Sequence, residues 1–166
     1  MIYIYYFIMD ERRTVQMPGA IKKDRANQLI LPDESYETQT QLVAIQCGDG
    51  ELYETIKKQL NTKLQGYRAQ DTLKHMFVES EFMDMENTLR ILKESDLRCF
   101  YCRECVKVLY RHVREGCQWT LERIDNEYGH IKTNVVIACL TCNLRRRTMY
   151  HERFAFTKQL VINKNN

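Results

Sequence analysis

Two cysteine pairs, each spaced Cys-x-x-Cys, are the residues of this chain whose type and spacing most directly predict chemistry. They are Cys99 with Cys102 and Cys139 with Cys142. Each pair can present two thiolates from one tight turn, and two such turns supply the four ligands of a closed tetrahedral zinc site. One pair alone would be a weak signal, whereas two pairs in a chain of 166 residues are a strong one. The sequence therefore predicts a structural zinc ion held by these four cysteines.

The cysteine count could instead suggest a disulfide-bonded secreted protein. Six of the seven cysteines lie within residues 99–142, and a chain of 166 residues can form a core without covalent cross-links. A reducing compartment with metal-bound thiolates is therefore the better interpretation. We expect an intracellular protein that is not secreted.

The elements around the second cysteine pair must position it, and the hydrophobic pattern predicts what they are. Residues 119–124 alternate well enough for a strand, and residues 134–140, with the sequence NVVIACL, are typical of a buried strand. A helix is expected from residue 143 to residue 161. The order strand, loop, strand, helix places the second cysteine pair at the junction between the second strand and the helix.

Three further helices are predicted earlier in the chain. Between residues 51 and 65, apolar residues recur at helical spacing, and Gly66 follows as a plausible C-cap. Residues 84–96 repeat this pattern, with Asp84 as a plausible N-cap, and lead directly into the first cysteine pair. Residues 104–115 are also expected to be helical.

The first fifty residues contain few signals of regular structure. Residues 10–40 are polar, contain both prolines and show no sustained period, whereas QLVAIQC at 41–47 is a candidate strand closed by the sequence GDG. The apolar start MIYIYYFIM is too short to cross a bilayer and lacks the features of a signal peptide. We therefore expect no membrane partner.

The predicted fold class is α+β, with three regions along the chain. Residues 1–50 form an irregular extension with short strands, residues 51–98 form a helical support region, and residues 99–166 form a zinc-stabilised domain that ends in a helix. Residues 99–166 contain 12 lysines and arginines against 6 acidic residues, whereas residues 1–98 contain 13 against 16. The zinc-binding half is the basic half, as expected if it meets a polyanion, although a solvated surface would show the same charge.

The stretch from the first cysteine pair onward resembles the zinc-containing branch of the HNH endonucleases, which have a ββα-metal fold. The resemblance is carried by CFYC and by WTLERIDNEYGHIKTNVVIACLTCNLRRR. It is closest to HNH-like proteins encoded by large double-stranded DNA viruses, with which KLQGYRAQD and FTKQL are also similar, so that it covers roughly residues 60–160. It implies metal-dependent hydrolysis of phosphodiester bonds in DNA, a host cytoplasm or nucleus as the location if the protein is viral, and a homodimer as one possible assembly.

The resemblance also implies roles for individual residues. In such enzymes a catalytic Mg²⁺ or Mn²⁺ is held by the carboxylate at the end of the first strand and by the asparagine after the second cysteine pair, which match Glu122 and Asn143. The middle asparagine of the motif, which fixes the loop by hydrogen bonds, matches Asn134. The basic residues that would contact nucleic acid are Arg123, Lys132, Arg145, Arg146 and Arg147.

The chain departs from the family pattern at the general base. The histidine that usually follows the metal-binding carboxylate is replaced by Arg123, which cannot accept a proton. His130 is the nearest imidazole, and a histidine with a pKa near neutrality is suited to activating water. Asp125 is a second candidate for the base.

Structural interpretations stand beside these catalytic ones. His130 could be a hydrogen-bonding residue that fixes the loop, Asn143 could cap the helix, and Glu122 could pair with an arginine. The corresponding alternative function is a weakly active or inactive zinc-stabilised nucleic-acid-binding protein, such as an accessory factor in transcription, packaging or the virion. A purely structural role in a virion is a third and weaker alternative.

Overall fold

The helices and strands of this protein are defined by a computed structural model that describes residues 30–160. The predictions for the apolar start, for residues up to 29 and for residue 161 lie outside the described residues. The described part mixes helices with a two-stranded sheet, which confirms the α+β class. The helices are α1 Thr38–Cys47, α2 Glu51–Leu73, α3 Met85–Glu94, α4 Leu140–Arg146 and α5 His151–Gln159, the strands are β1 Trp119–Arg123 and β2 Val135–Cys139, and a 3-10 helix spans Asp33–Tyr36.

The two predicted strands form an antiparallel hairpin. Trp119 of β1 lies opposite Cys139 of β2, and Arg123 lies opposite Val135. Trp119 is fully buried, so β1 covers the core with its inner face. Helix α4 begins directly after β2 and packs against both strands. This order brings the end of one strand and the first turn of a helix to the same side of the hairpin.

Helix α2 is longer than its sequence pattern predicts. It runs for 23 residues, and Ile56, Leu60 and Leu64 are buried as expected. Gly66 lies inside the helix in an exposed position with open space around it, so the prediction that it is the C-cap is wrong. The additional turns carry Tyr67 and Asp71, which contact the hairpin and its loop. The N-cap predicted for α3 is confirmed, because the Asp84 side chain accepts a hydrogen bond from the Asn87 N–H at 2.7 Å.

The strand predicted at residues 41–47 is wrong, since these residues form α1. Helix formation buries Leu42 and Ile45 on one face against α2, and Gly48 ends the helix with a φ of 76°. Gln41 is also buried. Its side-chain amide donates to the carbonyl of Leu109 at 3.0 Å, and its oxygen accepts from the N–H groups of Val108 and Leu109.

The helix predicted at residues 104–115 is also wrong. Backbone groups of this segment form hydrogen bonds with residues outside it instead of with each other. The Lys107 N–H donates to the Cys117 carbonyl at 2.9 Å, and the Lys107 carbonyl accepts from the Trp119 N–H at 3.0 Å. Together with the bonds to Gln41, these contacts hold the segment as isolated bridges at Cys105 and Lys107 followed by bends and a turn. Of the apolar residues that suggested a helix, Val106, Leu109 and Tyr110 are buried here all the same, whereas Val113 is exposed.

The predicted C-terminal helix is interrupted. It divides into α4 and α5 at Arg147, whose φ is 52°. Phe154 on α5 is buried, with its ring edge-on to Tyr101 at 4.9 Å between ring centroids. Helix α5 therefore packs against the turn that carries the first cysteine pair. Among residues 30–160 no helix is both long and apolar enough to cross a membrane.

Candidate functional site

The four predicted zinc ligands lie together. The sulfur atoms of Cys99, Cys102, Cys139 and Cys142 are all within 4.8 Å of one another, and none of these residues is in a disulfide. Zinc–sulfur bonds of about 2.3 Å place the sulfurs of a tetrahedral site roughly 3.8 Å apart, and the Cys102 and Cys139 sulfurs are 3.9 Å apart. The residues therefore fit a metal ion such as zinc. We call this group the four-cysteine cluster.

Local backbone geometry builds the cluster. In the first pair, the Cys99 N–H donates to the Glu104 carbonyl at 2.9 Å, which closes a tight turn with Arg103 at a φ of 62°. In the second pair, Cys139 is the N-cap of α4, and its sulfur accepts from the Cys142 N–H at 3.3 Å. The hydrogen bond from the Cys139 thiol lowers the pKa of Cys99 to about 4, although burial opposes this shift. The same contact raises the pKa of Cys139, so that it places one thiolate in the cluster, at Cys99.

A pocket with a volume of about 320 Å³ opens between the hairpin, α4 and α2. Three of the predicted catalytic residues line it together, namely Glu122 from β1, His130 from the loop and Asn143 from α4. Arg123 and Arg147 also reach its wall. The rest of the wall is formed by Tyr67, Gln70, Thr120, Leu121, Asn126 and Leu140. We call this the His130 pocket.

Asn143 lines this pocket with a side-chain amide that is held on one side only. Its side-chain NH₂ donates to the Thr120 hydroxyl at 3.2 Å, which fixes the orientation of the amide. The Asn143 oxygen accepts no hydrogen bond from any residue between 30 and 160. The N-cap of α4 is Cys139, so Asn143 does not cap this helix.

Glu122 is buried and paired with Arg146. Its side chain is 6% exposed, and the Arg146 Nε donates to one of its oxygens. Burial raises the pKa of Glu122, whereas Arg146 and then Arg123 oppose the rise. The second carboxylate oxygen receives no hydrogen bond from the described part of the chain. One oxygen of Glu122 is therefore committed to structure and the other is available.

Arg146 cannot take the nucleic-acid-binding role expected for it. Its side chain is 2% exposed, and its guanidinium is enclosed by protein acceptors. Besides Glu122, these acceptors are the carbonyls of Met149 and Arg123 and the side-chain oxygen of Asn126. A phosphate could reach this group only by displacing buried hydrogen bonds. The other two arginines of the triplet are exposed, and of these only Arg147 lines the His130 pocket.

His130 is held by two groups from α2. Its Nδ1 lies 2.8 Å from one carboxylate oxygen of Asp71, and its backbone N–H donates to the other oxygen at 2.6 Å. The ring of Tyr67 lies against the imidazole at 4.4 Å between ring centroids. Burial lowers the pKa of His130, and the charge of Asp71 opposes that shift. The imidazole is therefore neutral at pH 7, with Nε2 as the nitrogen that Asp71 leaves free.

Sequence analysis missed Asp71 and Tyr67. They precede the loop by more than fifty residues, so no short motif connects them to it. The helical period does contain a signal, because Leu60, Leu64, Tyr67 and Asp71 follow one another at spacings of three or four residues. Continuing the helix past Gly66 places both polar residues on the buried face of α2.

Asn134 and Arg123 both fix the loop between the strands. The Asn134 amide donates to the carbonyls of Asp125 at 2.9 Å and Gly129 at 3.1 Å, and its oxygen accepts from the Asp125 N–H at 2.9 Å. The Arg123 guanidinium donates to the carbonyl of Tyr128 at 3.2 Å. The hydrogen bonds of Asn134 are the ones expected from the motif. Arg123 stands at the pocket wall with part of its donor capacity already used.

Asp125 and Lys132 lie away from the His130 pocket. Asp125 lines a separate depression of about 550 Å³, and its carboxylate accepts from the Glu127 N–H at 2.9 Å. The Lys132 amine pairs with Asp84 at the start of α3, at 3.3 Å. Asp125 as an alternative base and Lys132 as a contact of the same phosphate are therefore not brought together with Glu122 and Asn143.

Comparison with family models, with curated proteins and with solved structures finds no match to this chain. Functional conclusions therefore depend on the chemistry of the four-cysteine cluster and of the His130 pocket.

Proposed function

We propose that this chain is a metal-dependent HNH-type endonuclease that hydrolyses phosphodiester bonds in DNA. One observation carries the proposal, which is that Glu122, Asn143 and His130 line a single pocket beside a four-cysteine cluster. An oxygen-ligand pair and a neutral imidazole are the groups that metal-assisted hydrolysis of a phosphodiester requires. The antiparallel strand pair followed by α4 also has the element order of a ββα-metal module.

The available oxygens suit a hard divalent cation that binds together with substrate. The donors are the second carboxylate oxygen of Glu122 and the amide oxygen of Asn143. Magnesium keeps several waters and is commonly held by one or two carboxylates plus substrate phosphates. Because Arg146 already balances the charge of Glu122, the phosphate must contribute negative charge for such an ion to bind well. When bound, the cation polarises the scissile phosphate and stabilises charge in the transition state.

His130 supplies the base in this proposal. A neutral imidazole with Nδ1 engaged can accept a proton from water at Nε2, and burial keeps it neutral at pH 7. Arg147 supplies a cation at the rim of the pocket, where a guanidinium can bind a phosphate through two hydrogen bonds. Asn134 and Arg123 keep the loop that carries His130 in place.

Cleavage of supercoiled plasmid by zinc-loaded protein with Mg²⁺ or Mn²⁺ tests the proposal. The wild type should convert the plasmid to nicked or linear forms, and Asn143→Ala should slow this strongly while zinc content stays the same. Asn61→Ala, which removes the same type of side chain from an exposed position of α2 outside the pocket, is the matched control and should cleave like the wild type. Cleavage that is unchanged by Asn143→Ala would refute the assignment of the site.

A second candidate is a zinc-stabilised nucleic-acid-binding protein without hydrolytic activity. It is favoured by the buried pairing of Glu122 with Arg146 and by the presence of Arg123 where the family has its base. Fluorescence anisotropy with a labelled duplex separates the two candidates. Binding without cleavage under every metal condition supports the second candidate, whereas cleavage that depends on Asn143 supports the first.

A further inference from the structure

Asp71 lies on α2, outside the hairpin. Its side chain nevertheless makes two hydrogen bonds with one residue of the hairpin loop, His130. The side chain of Asp71 is 1% exposed and lies on α2. One oxygen accepts from the backbone N–H of His130, and the other lies 2.8 Å from Nδ1 of the same residue. A buried carboxylate with both oxygens directed at one histidine fixes the backbone position and the ring orientation of that histidine together.

The residue before His130, Gly129, allows this contact because it has no side chain. A side chain at Gly129 would place its Cβ 2.5 Å from the Met76 carbonyl oxygen and 2.7 Å from an Asp71 carboxylate oxygen. Only glycine lets the loop approach α2 so closely. His130 is also held through its backbone carbonyl, which accepts a hydrogen bond from the Met83 N–H at 2.9 Å. The loop is therefore held to α2 on one side and to the segment before α3 on the other.

We propose that Asp71 is a positioning residue that holds His130 in the tautomer protonated at Nδ1, so that Nε2 presents its lone pair to the His130 pocket. This inference rests on the endonuclease proposal for its catalytic consequence, but not for the tautomer itself. The end of β1 cannot provide a base, because Arg123 stands there. Helix α2 instead orients a base that lies in the loop. The carboxylate accepts a hydrogen bond from the protonated Nδ1, and Nε2 is the ring nitrogen left free for a water in the pocket that His130 lines.

The proton balance of the step is simple. A water oxygen forms a bond to phosphorus while its proton moves to Nε2 of His130, and the bond between phosphorus and the leaving oxygen breaks. The leaving oxygen takes a proton from solvent, and the imidazolium later returns its own proton to solvent. Asp71 stays ionised throughout and stabilises the positive charge that forms on the ring.

The tautomer can be measured without any assay of activity. Protein labelled with ¹⁵N at its four histidines is examined by long-range ¹H–¹⁵N correlation, and the signals of His130 are assigned with His130→Gln. The wild type should show a protonated Nδ1 and an unprotonated Nε2 at pH 7. Asp71→Asn should lose this preference, whereas Asp33→Asn, which changes an exposed carboxylate, should keep it. A His130 protonated at Nε2 in the wild type would overturn the inference, whatever the protein cleaves.

The pH profile of cleavage separates positioning from a merely structural role. The charged groups around His130 are Asp71, which raises its pKa, and Arg123 and Lys74, which lower it, with the neutral Tyr67 hydroxyl on the same helix face. Removing the Asp71 charge should therefore move the acidic limb of the rate profile to lower pH. Asp71→Asn should also lower kcat by on the order of 10²-fold with little change in affinity for DNA. A merely structural role would reduce the active fraction and leave the midpoint of the limb unchanged, which would contradict positioning.

Gly129→Ala provides a second variant that retains the carboxylate. Its Cβ should push the loop away from α2, so the tautomer preference and kcat should fall as in Asp71→Asn. Wild-type tautomer and kcat in this variant would count against the close contact. If the wild type shows the Nδ1-protonated tautomer and cleaves no DNA, the tautomer inference is supported and the endonuclease proposal alone is overturned.

Discussion

The four-cysteine cluster and the His130 pocket lie side by side but are assembled in different ways. Each half of the cluster is a short turn, and a hydrogen bond from the Phe100 N–H to the Ile137 carbonyl of β2, at 2.8 Å, joins the first turn to the hairpin. The pocket needs one residue from a strand, one from a helix, one from a loop and a supporting carboxylate from α2. The first depends mainly on local spacing, whereas the second depends on how distant elements pack.

The two regions should also differ in how strongly they stabilise the fold. Structural zinc in small domains contributes an apparent free energy of roughly 10–16 kcal/mol, because the site forms only when the chain folds. A hydrogen bond that involves a charged group contributes about 1.5–3 kcal/mol. Loss of the cluster should therefore unfold the region, whereas changes in the pocket should alter activity and cost less stability.

Removal of the metal is expected to have the largest effect. A strong zinc chelator, or the substitution Cys142→Ser, should abolish the folded state of the region around the hairpin, measured by circular dichroism and by zinc content. Cys105→Ser is the control, because Cys105 is an exposed thiol outside the cluster, and it should leave both unchanged. A folded hairpin region that persists without metal would break the distinction between the two regions.

Breaking the ion pair beneath the pocket is expected to have the next largest effect. Arg146→Met leaves the buried carboxylate of Glu122 uncompensated, and such a loss costs about 3–5 kcal/mol of unfolding free energy. Chemical denaturation measures this loss, with Arg145→Met as the exposed control. Adding Glu122→Gln to Arg146→Met should recover part of the loss, because the charge is removed. Equal stabilities for the single and double variants would show that Glu122 is not the partner that matters.

Substitution of Arg147 should have the smallest effect on the stability of the fold and a clear effect on DNA binding. Arg147→Ala should weaken binding to a duplex and reduce the salt slope of the binding constant by about one, because one fewer counterion is released. Arg145→Ala should change both less, since that residue does not line the pocket. Anisotropy titrations at several salt concentrations measure this. An equal loss in both variants would mean that the arginines act only as general surface charge.

The same contrast explains what could be predicted from the sequence. The cysteines, the two strands and the N-cap Asp84 follow from local spacing and were predicted correctly. The segment at 104–115 was predicted wrongly because its backbone forms hydrogen bonds with distant residues, among them Gln41. The segment at 41–47 was predicted wrongly because a run of seven residues is too short for its pattern to separate a strand from a helix.

The role of Arg146 shows a second limit of sequence analysis. Three consecutive arginines give no sign of which one is buried, and that depends on the helix phase and on the position of Glu122. Asp71 was missed for a similar reason, because its partner lies in a loop far along the chain. Glu122, His130 and Asn143 were predicted to share a site from their resemblance to a known motif, and they do line one pocket.

The central claim is that His130 activates water in a pocket built jointly by the hairpin and α2. It is tested most directly by single-turnover cleavage of a fluorescent duplex, with zinc-loaded protein and Mn²⁺, for wild type, His130→Ala and the control His112→Ala. His112 is exposed and lies outside the pocket. We predict equal rates for wild type and His112→Ala, and a rate for His130→Ala that is lower by roughly 10²–10⁴-fold. Cleavage by His130→Ala at the wild-type rate would contradict the claim.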